Sequence, residues 1–326
     1  ASGDKLIIYG ILMACIPLLT LNVMKVYCHK HYDECVIKPR KYWNRGLMKE
    51  MTTFAGWNFF STASSMVSQY GLGIVLNNFW GALLNAAQGI ANQLSGMLMV
   101  FCNTMLKALN PVIAKSKGQG DDALMYKATF SGCKYSYLLL AVFAIPFMLE
   151  MPAILKLWLK NVPDWAVLFA RLQLSRSLVE QLTIAISTMI SANGKIKTYS
   201  LVKSVLSLLP IVLTYIAYSF AGSPASMYFF WILCSGVVAG FFSLHYAKKL
   251  CGISIFQFTS AVIFPCAVIT VAMFIGGSLV VTWCAPSLLR IVFTTFITTI
   301  LFALFLAICS TKEERKLVVS IIKRNR

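Results

Sequence analysis

Residues 198–220 read TYSLVKSVLSLLPIVLTYIAYSF, residues 221–225 read AGSPA, and residues 226–247 read SMYFFWILCSGVVAGFFSLHYA. The first run holds one charge, Lys203, and the second long run holds no Asp, Glu, Lys or Arg. A helix needs about 20 predominantly apolar residues to cross the hydrocarbon core of a bilayer. Each run meets that length, and the turn between them is uncharged. Lys195 and Lys197 precede the pair, and Lys248 and Lys249 follow it. Basic ends and a neutral turn predict a helical hairpin that enters and leaves the membrane on the same, positively charged side.

The same reading extends outward. Nine runs of this kind occur, at about 6–27, 53–76, 81–106, 130–155, 165–191, 198–220, 226–247, 257–282 and 287–309. Their continuity argues against a β-barrel, whose strands alternate over about 10 residues. The expected fold is therefore all-α, a polytopic transmembrane helix bundle. The connections alternate in charge along the chain. Residues 25–49 carry Lys25, Lys30, Lys38, Arg40, Lys41, Arg45 and Lys49, whereas Asn77–Trp80 carries none. Basic connections recur at Lys107 to Lys127, Lys195 to Lys203 and Lys248–Lys249, and the tail ends in Lys323, Arg324 and Arg326. This pattern predicts an N-terminus outside and a cytoplasmic tail. Residues 41–51 fit either a short interfacial helix or a solvated basic loop, and the tail, residues 310–326, fits a segment lying on anionic headgroups.

Composition agrees. Of 326 residues, 58% are apolar and 12% charged; a soluble domain has about 45–50% and about 25%. An ordinary soluble enzyme and a disordered chain are both excluded. The net charge of +18, from 29 basic and 11 acidic residues, lies in strips between spans. It reads as a topology signal and not as a nucleic-acid surface. Most of the ten cysteines lie in apolar runs and read as small core residues.

The informative residues are polar ones at membrane depth, where an unpartnered group is costly. In the run 165–191, Gln173, Arg176, Glu180, Thr183, Ser187 and Ser191 recur every three or four residues and share one helix face. Arg176 and Glu180 stand at i and i+4, close enough to pair. Ionisable residues inside a span mark a functional site or a packing ion pair. The functional reading makes them a cavity wall, with Arg176 attracting an anion. Arg171 points the other way and reads as snorkelling to headgroups. In the run 81–106, Asn85, Gln88, Asn92, Gly96, Asn103 and Asn110 share an arc. They fit a cavity lining or an interhelical seam with close packing at Gly89 and Gly96. Asn58, Ser61, Thr62, Ser65, Ser68 and Gln69 form a similar face in the run 53–76. Gly236 and Gly240 form a small-residue contact in the run 226–247.

Enzymatic machinery is not visible. There is no phosphate-binding Gly-Lys-Ser/Thr loop, no Gly-x-Ser-x-Gly elbow and no convincing carboxylate pair. Cys28, His29, His31 and Cys35 match no closed zinc spacing. The chain is expected to be no enzyme, to hold no metal and to need no cofactor.

Several stretches, taken in order, carry a resemblance: FAGWNF at 54–59, GALLNAAQGIANQ at 81–93, ALNPVIAK at 108–115, LKLWLKNVPD at 155–164, LFARL at 168–172 and SANGKIK at 191–197. Together they resemble the polysaccharide-biosynthesis flippases, the O-antigen or Wzx-type branch of the multidrug/oligosaccharidyl-lipid/polysaccharide exporter superfamily. The resemblance implies two six-helix lobes, often followed by two further spans, that alternate access in the bacterial inner membrane. The implied cargo and partner is an undecaprenyl-pyrophosphate-linked oligosaccharide within membrane lipids, with polysaccharide polymerase machinery downstream. Residues 1–27 would hold the last helix of the N-terminal lobe, 28–52 the cytoplasmic basic linker, 53–247 the C-terminal six-helix lobe, and 257–309 two additional helices. Most of the first lobe is then missing, as in a fragment. Arg176, Glu180, Gln173, Thr183, Asn58, Asn85, Gln88 and Asn92 would line the substrate cavity. H⁺ or Na⁺ is the candidate coupling ion, with Glu180 its candidate carrier. The alternatives are a cation-coupled multidrug exporter of the same superfamily and, further off, an integral-membrane glycan polymerase or acyltransferase.

Overall fold

The computed structural model describes residues 5–32, 35 and 43–309 and, for residues 5–7, the backbone only. The tail expected on headgroups, most of the linker after Tyr32, and Lys41 and Tyr42 lie outside the described residues. Those residues are helical throughout their long elements and include no strand. They divide into two compact units, residues 1–53 and 54–326.

The first unit contains α1, Lys5–His31. Its polar groups are satisfied within the helix: Thr20 Oγ1 donates to the Ile16 carbonyl at 2.9 Å and Asn22 Nδ2 to the Leu18 carbonyl at 2.9 Å. His29, Lys30 and His31 fill its last turn, where cations suit the helix dipole. The next helix, α2, runs from Arg45 to Gly118. Asn44 caps it, its Oδ1 accepting from the backbone N–H groups of Gly46 and Leu47 at 2.9 and 3.2 Å. Residues 45–51 therefore belong to this long helix and form neither a separate short helix nor a loop. The expected loop Asn77–Trp80 is also helical. The break between the two arms of α2 is one residue, Gly81, at φ 81° and ψ 176°, a conformation essentially reserved for glycine.

The second unit continues with α3 (Asp122–Leu149), α4 (Met151–Trp158), α5 (Ala166–Gln181), α6 (Ile184–Ala192), α7 (Lys197–Ser219), α8 (Ser226–Cys251), α9 (Ile255–Trp283) and α10 (Leu288–Cys309). Among the described residues, seven helices are long and apolar enough to span a membrane: α1, α2, α3, α7, α8, α9 and α10. α2 carries two of the apolar runs. The run 165–191 is shared between α5 and α6, neither long enough alone, and the run 130–155 ends at Glu150, before α4.

α3 is the central rod, packing against α5, α6, α9 and α10. Cys133, Leu140, Ala141 and Ala144 are fully buried, and Gly132 lets Ala185 of α6 come so near that a Cβ there would sit 3.0 Å from it. Lipid tails are as apolar as these side chains, so close packing and polar pairing hold such helices together. Both operate where α10 meets the end of α3. Glu150, 1% exposed, accepts from Arg290 Nη2 at 2.8 Å and from Thr294 Oγ1 at 3.0 Å. Arg290 Nη1 also reaches the Val281 and Cys284 carbonyls that end α9, at 3.4 and 3.2 Å. Arg171 does not snorkel outward. Its Nε donates to the Met148 carbonyl at 2.7 Å and its Nη2 to Leu149 at 3.3 Å, which satisfies carbonyls left open at the end of α3.

Candidate functional site

Four elements of the second unit enclose a polar chamber of about 310 Å³: the first arm of α2, the junction of α5 and α6, the first half of α7, and the middle of α8. Arg176, Glu180 and Thr183 come from the α5–α6 junction, Lys203 from α7, and Trp231 and Ser235 from α8. Arg176 Nη1 donates to Glu180 Oε1 at 2.6 Å, and its Nε donates to Gln173 Oε1 at 3.3 Å. The guanidinium carbon lies 4.0 Å from the centre of the Trp231 ring. The cation is thus held by a carboxylate, an amide and an aromatic face together. Lys203 Nζ donates to Tyr199 Oη at 3.4 Å, and Tyr199 Oη shares a hydrogen with Ser243 Oγ across 3.2 Å. Ser65 and Gln69 of α2 are exposed and form the chamber's edge, while Ser68, 2% exposed, lies inside it.

Two backbone irregularities face the chamber. The run 165–191 was expected to be one helix, but it breaks after Gln181. Thr183 leaves the helical region at φ −125°, and Leu182 and Thr183 donate back to the Val179 and Glu180 carbonyls at 3.3 and 3.4 Å, in i→i−3 bonds. Opposite, α8 loosens into a π turn over Ile232–Val238. The two stretches pack side by side. A Cβ on Gly236 would sit 2.9 Å from Val179 Cγ1, and one on Gly240 would sit 3.4 Å from Thr183 Oγ1. These two glycines therefore make the small-residue contact that their spacing suggested, Gly236 against α5 and Gly240 against Thr183 in the break. Such π turns recur at functional sites, and broken helices line cavities at membrane depth.

No family model, curated protein or solved structure matches the chain. The site therefore rests on its own geometry.

Of the residues predicted for a cavity, Arg176, Glu180 and Thr183 line the chamber, and Gln173, 4% exposed, supports it from behind. The amides of α2 stand elsewhere. Gln88 is buried with its Nε2 3.8 Å from Met227 Sδ, and Asn92 Oδ1 is buried. Asn85 is exposed; its Oδ1 and that of Gln88, Oε1, approach the Cβ position of Gly73 in the other arm, each at 3.2 Å. Asn58 is half-buried and outside the chamber lining. Gly89 and Gly96 have open space beside them, so no helix packs at either. Asn110 joins α2 to α6 by accepting from Thr188 Oγ1 at 3.0 Å. Lys203, Tyr199 and Trp231 were not singled out from sequence. They sit in other runs, and only the packing of α7 and α8 brings them to Arg176. Among the described residues no group of three metal-ligating side chains assembles.

Proposed function

We propose that the chain carries the substrate chamber of a transporter that moves undecaprenyl-pyrophosphate-linked oligosaccharide across a bacterial inner membrane, for O-antigen or other surface polysaccharide synthesis. The observation that carries this reading is the composition of the chamber. It sets two cations, Arg176 and Lys203, against one carboxylate, Glu180, within otherwise apolar helices. Such a balance suits an anionic headgroup better than the cationic cargo of a drug exporter. Arg176 is already oriented by Gln173 and Trp231, so little is lost in ordering it around a phosphate. Ser65, Gln69 and Ser207 supply the donors and acceptors that sugar hydroxyls need. The exposed edge at Ser65 and Gln69 gives a side opening through which a lipid tail stays in the bilayer. Broken and loosened helices on opposite walls suit a bundle that rocks to alternate access. In this reading nine spans cross the membrane, two in α2 and one shared by α5 and α6. The basic tail is cytoplasmic, and no covalent chemistry takes place.

The test is deletion of the gene, followed by measurement of which leaflet holds the lipid-linked glycan. The reading expects completed units to accumulate on the cytoplasmic side. The wild-type gene should restore export, and Arg176→Ala, expressed at the same level, should not. Completed units outside the membrane but unpolymerised would instead indicate a polymerase. Unchanged glycan with altered drug tolerance would indicate an exporter.

A further inference from the structure

Three charged side chains line the chamber, and they are not equally available. Arg176 is spent on Glu180, with Nη1 2.6 Å from Oε1, and on Gln173 and the Trp231 ring. Its charge is answered within the chamber wall. Lys203 differs. Among the described residues it has no carboxylate in salt-bridge reach. An ammonium inside a span is costly unless something answers its charge.

A chain of hydrogen bonds with a fixed direction holds this lysine. Ser243 has one hydroxyl hydrogen and donates it to the Ala239 carbonyl at 2.7 Å. Tyr199 Oη, 3.2 Å from Ser243 Oγ, is therefore the donor of that pair, and it accepts from Lys203 Nζ at 3.4 Å. Tyr199 and Ser243 are both buried, so a lysine that ends on them has not snorkelled out to the headgroups. The Tyr199 ring is itself fixed, with Phe242 at 6.1 Å and Tyr246 at 5.9 Å. An ammonium has three donors. One goes to Tyr199, and two remain on a side chain that lines the chamber. Ser207, four residues on, shares that helix face and lines the chamber as well. The chamber's 310 Å³ is about ten times the volume share of one water, so a diphosphate fits.

We propose that Lys203 is the anchor of the chamber: its ammonium takes the oxygens of a diphosphate group, with Tyr199 as its positioning residue, while Arg176 and Glu180 stay paired. This rests on the reading of the chamber as a site for an anionic headgroup. It assigns the charge that the anion meets to α7 and not to the pair on α5. It also gives the expected failure of Arg176→Ala a cause. Without Arg176, the Glu180 carboxylate faces the same chamber unanswered and repels the anion.

Lysine acetylation of the full-length chain in detergent, read residue by residue by mass spectrometry, tests the anchor. Lys248 and Lys249 are exposed and report on the reagent itself. Saturating inorganic pyrophosphate should slow acetylation of Lys203 at least about tenfold, by mass action, and leave Lys248 and Lys249 unchanged. Tyr199→Phe keeps the ring and removes the hydroxyl. It should raise the half-protecting concentration about fivefold, the worth of one neutral hydrogen bond. A prenyl diphosphate run in parallel separates the sources. Protection at a lower concentration than pyrophosphate assigns the anchor to a lipid headgroup, and protection at the same concentration assigns it to a soluble diphosphate. An unprotected Lys203, or equal slowing at Lys248, overturns the proposal. In the deletion strain, Lys203→Arg should restore export and Lys203→Gln should not. Cytoplasmic accumulation of the glycan with full rescue by Lys203→Gln would keep the transporter and discard the anchor. Protection of Lys203 in a chain whose deletion leaves the glycan unchanged would keep the anchor and discard the transporter.

Discussion

Replacing Glu150 by alanine should unfasten α10 from the end of α3. The carboxylate is 1% exposed, and the Arg290 side chain is 12% exposed. Glu150 takes one charge-assisted bond from Arg290 Nη2 at 2.8 Å and one hydroxyl bond from Thr294 at 3.0 Å. Without it, Arg290 keeps only two carbonyl contacts at 3.2–3.4 Å, and its Nε is already buried without a partner. Removing one member of a buried ion pair leaves an uncompensated charge, at a cost of about 3–5 kcal/mol. Arg290→Ala should cost a similar amount, since it strands the carboxylate beside a single hydroxyl. The double variant strands neither. It should be less destabilised than the sum of the two by about 2 kcal/mol or more, the scale of coupling between contacting groups. Thr294→Val, losing one neutral-donor bond, should cost about 1–2 kcal/mol. Detergent-titrated unfolding of the purified chain, followed by circular dichroism, measures all four. Single variants that cost under about 1 kcal/mol and add without coupling would show that the pair does not fasten the hairpin.

Three further outcomes follow from the geometry. Gly81→Ala should lower stability by about 1–3 kcal/mol, because φ 81° with ψ 176° is strained for any side chain; thermal unfolding reads it. Gly277→Val should destabilise by about 1–3 kcal/mol by overpacking, since a Cβ there meets Leu149 Cδ1 at 2.4 Å and Thr298 Cγ2 at 2.9 Å. Gly276→Ala should do less, because its one obstacle under 3.0 Å is the flexible end of Leu301, whereas Gly277 is also met by the stiff, β-branched Thr298, and a reversed order would contradict this packing. Trp231→Leu removes the ring beneath the Arg176 guanidinium, a contact worth about 1 kcal/mol. Modification of Arg176 by phenylglyoxal should then quicken by about fivefold, and an unchanged rate would remove Trp231 from the site.

Helices and their apolar lengths were legible because a span must satisfy its own backbone, which leaves a long uncharged run as its trace. The Arg176–Glu180 pair was legible for a related reason: i and i+4 meet on any helix, whatever surrounds it. Breaks were harder. Residues 165–191 contain neither glycine nor proline, so nothing local announces the end of α5 at Gln181. The cause is tertiary. Gln181 is drawn to Ser136 on α3 and to Met99 on α2, and Thr183 fits against Gly240 on α8. Glu150 carries no local sign of its pairing, because its partner, Arg290, lies 140 residues away.

The polar stripes show where periodicity stops deciding. In water an amphipathic helix turns its polar face outward, so the pattern fixes the orientation. In a membrane the polar face turns toward protein, and a packing seam and a wet chamber impose the same spacing. Gln88 and Asn110 became seams, to Met227 and Thr188. Arg176 and Thr183, on an equally regular stripe, became a chamber wall. The difference lies in what stands opposite. Gln88 and Asn110 face single side chains that fill the gap. The stripe of Arg176 and Thr183 borders a chamber whose α8 side is made by Ser235, Gly240 and Ser243 beside a loosened turn, where small residues leave a volume too large to be a seam. A polar stripe in a span becomes a site when its partner helix is small-residue and irregular at the same level. Gly236 and Gly240 were visible in sequence as a pair, and their register against Val179 and Thr183 was the missing step.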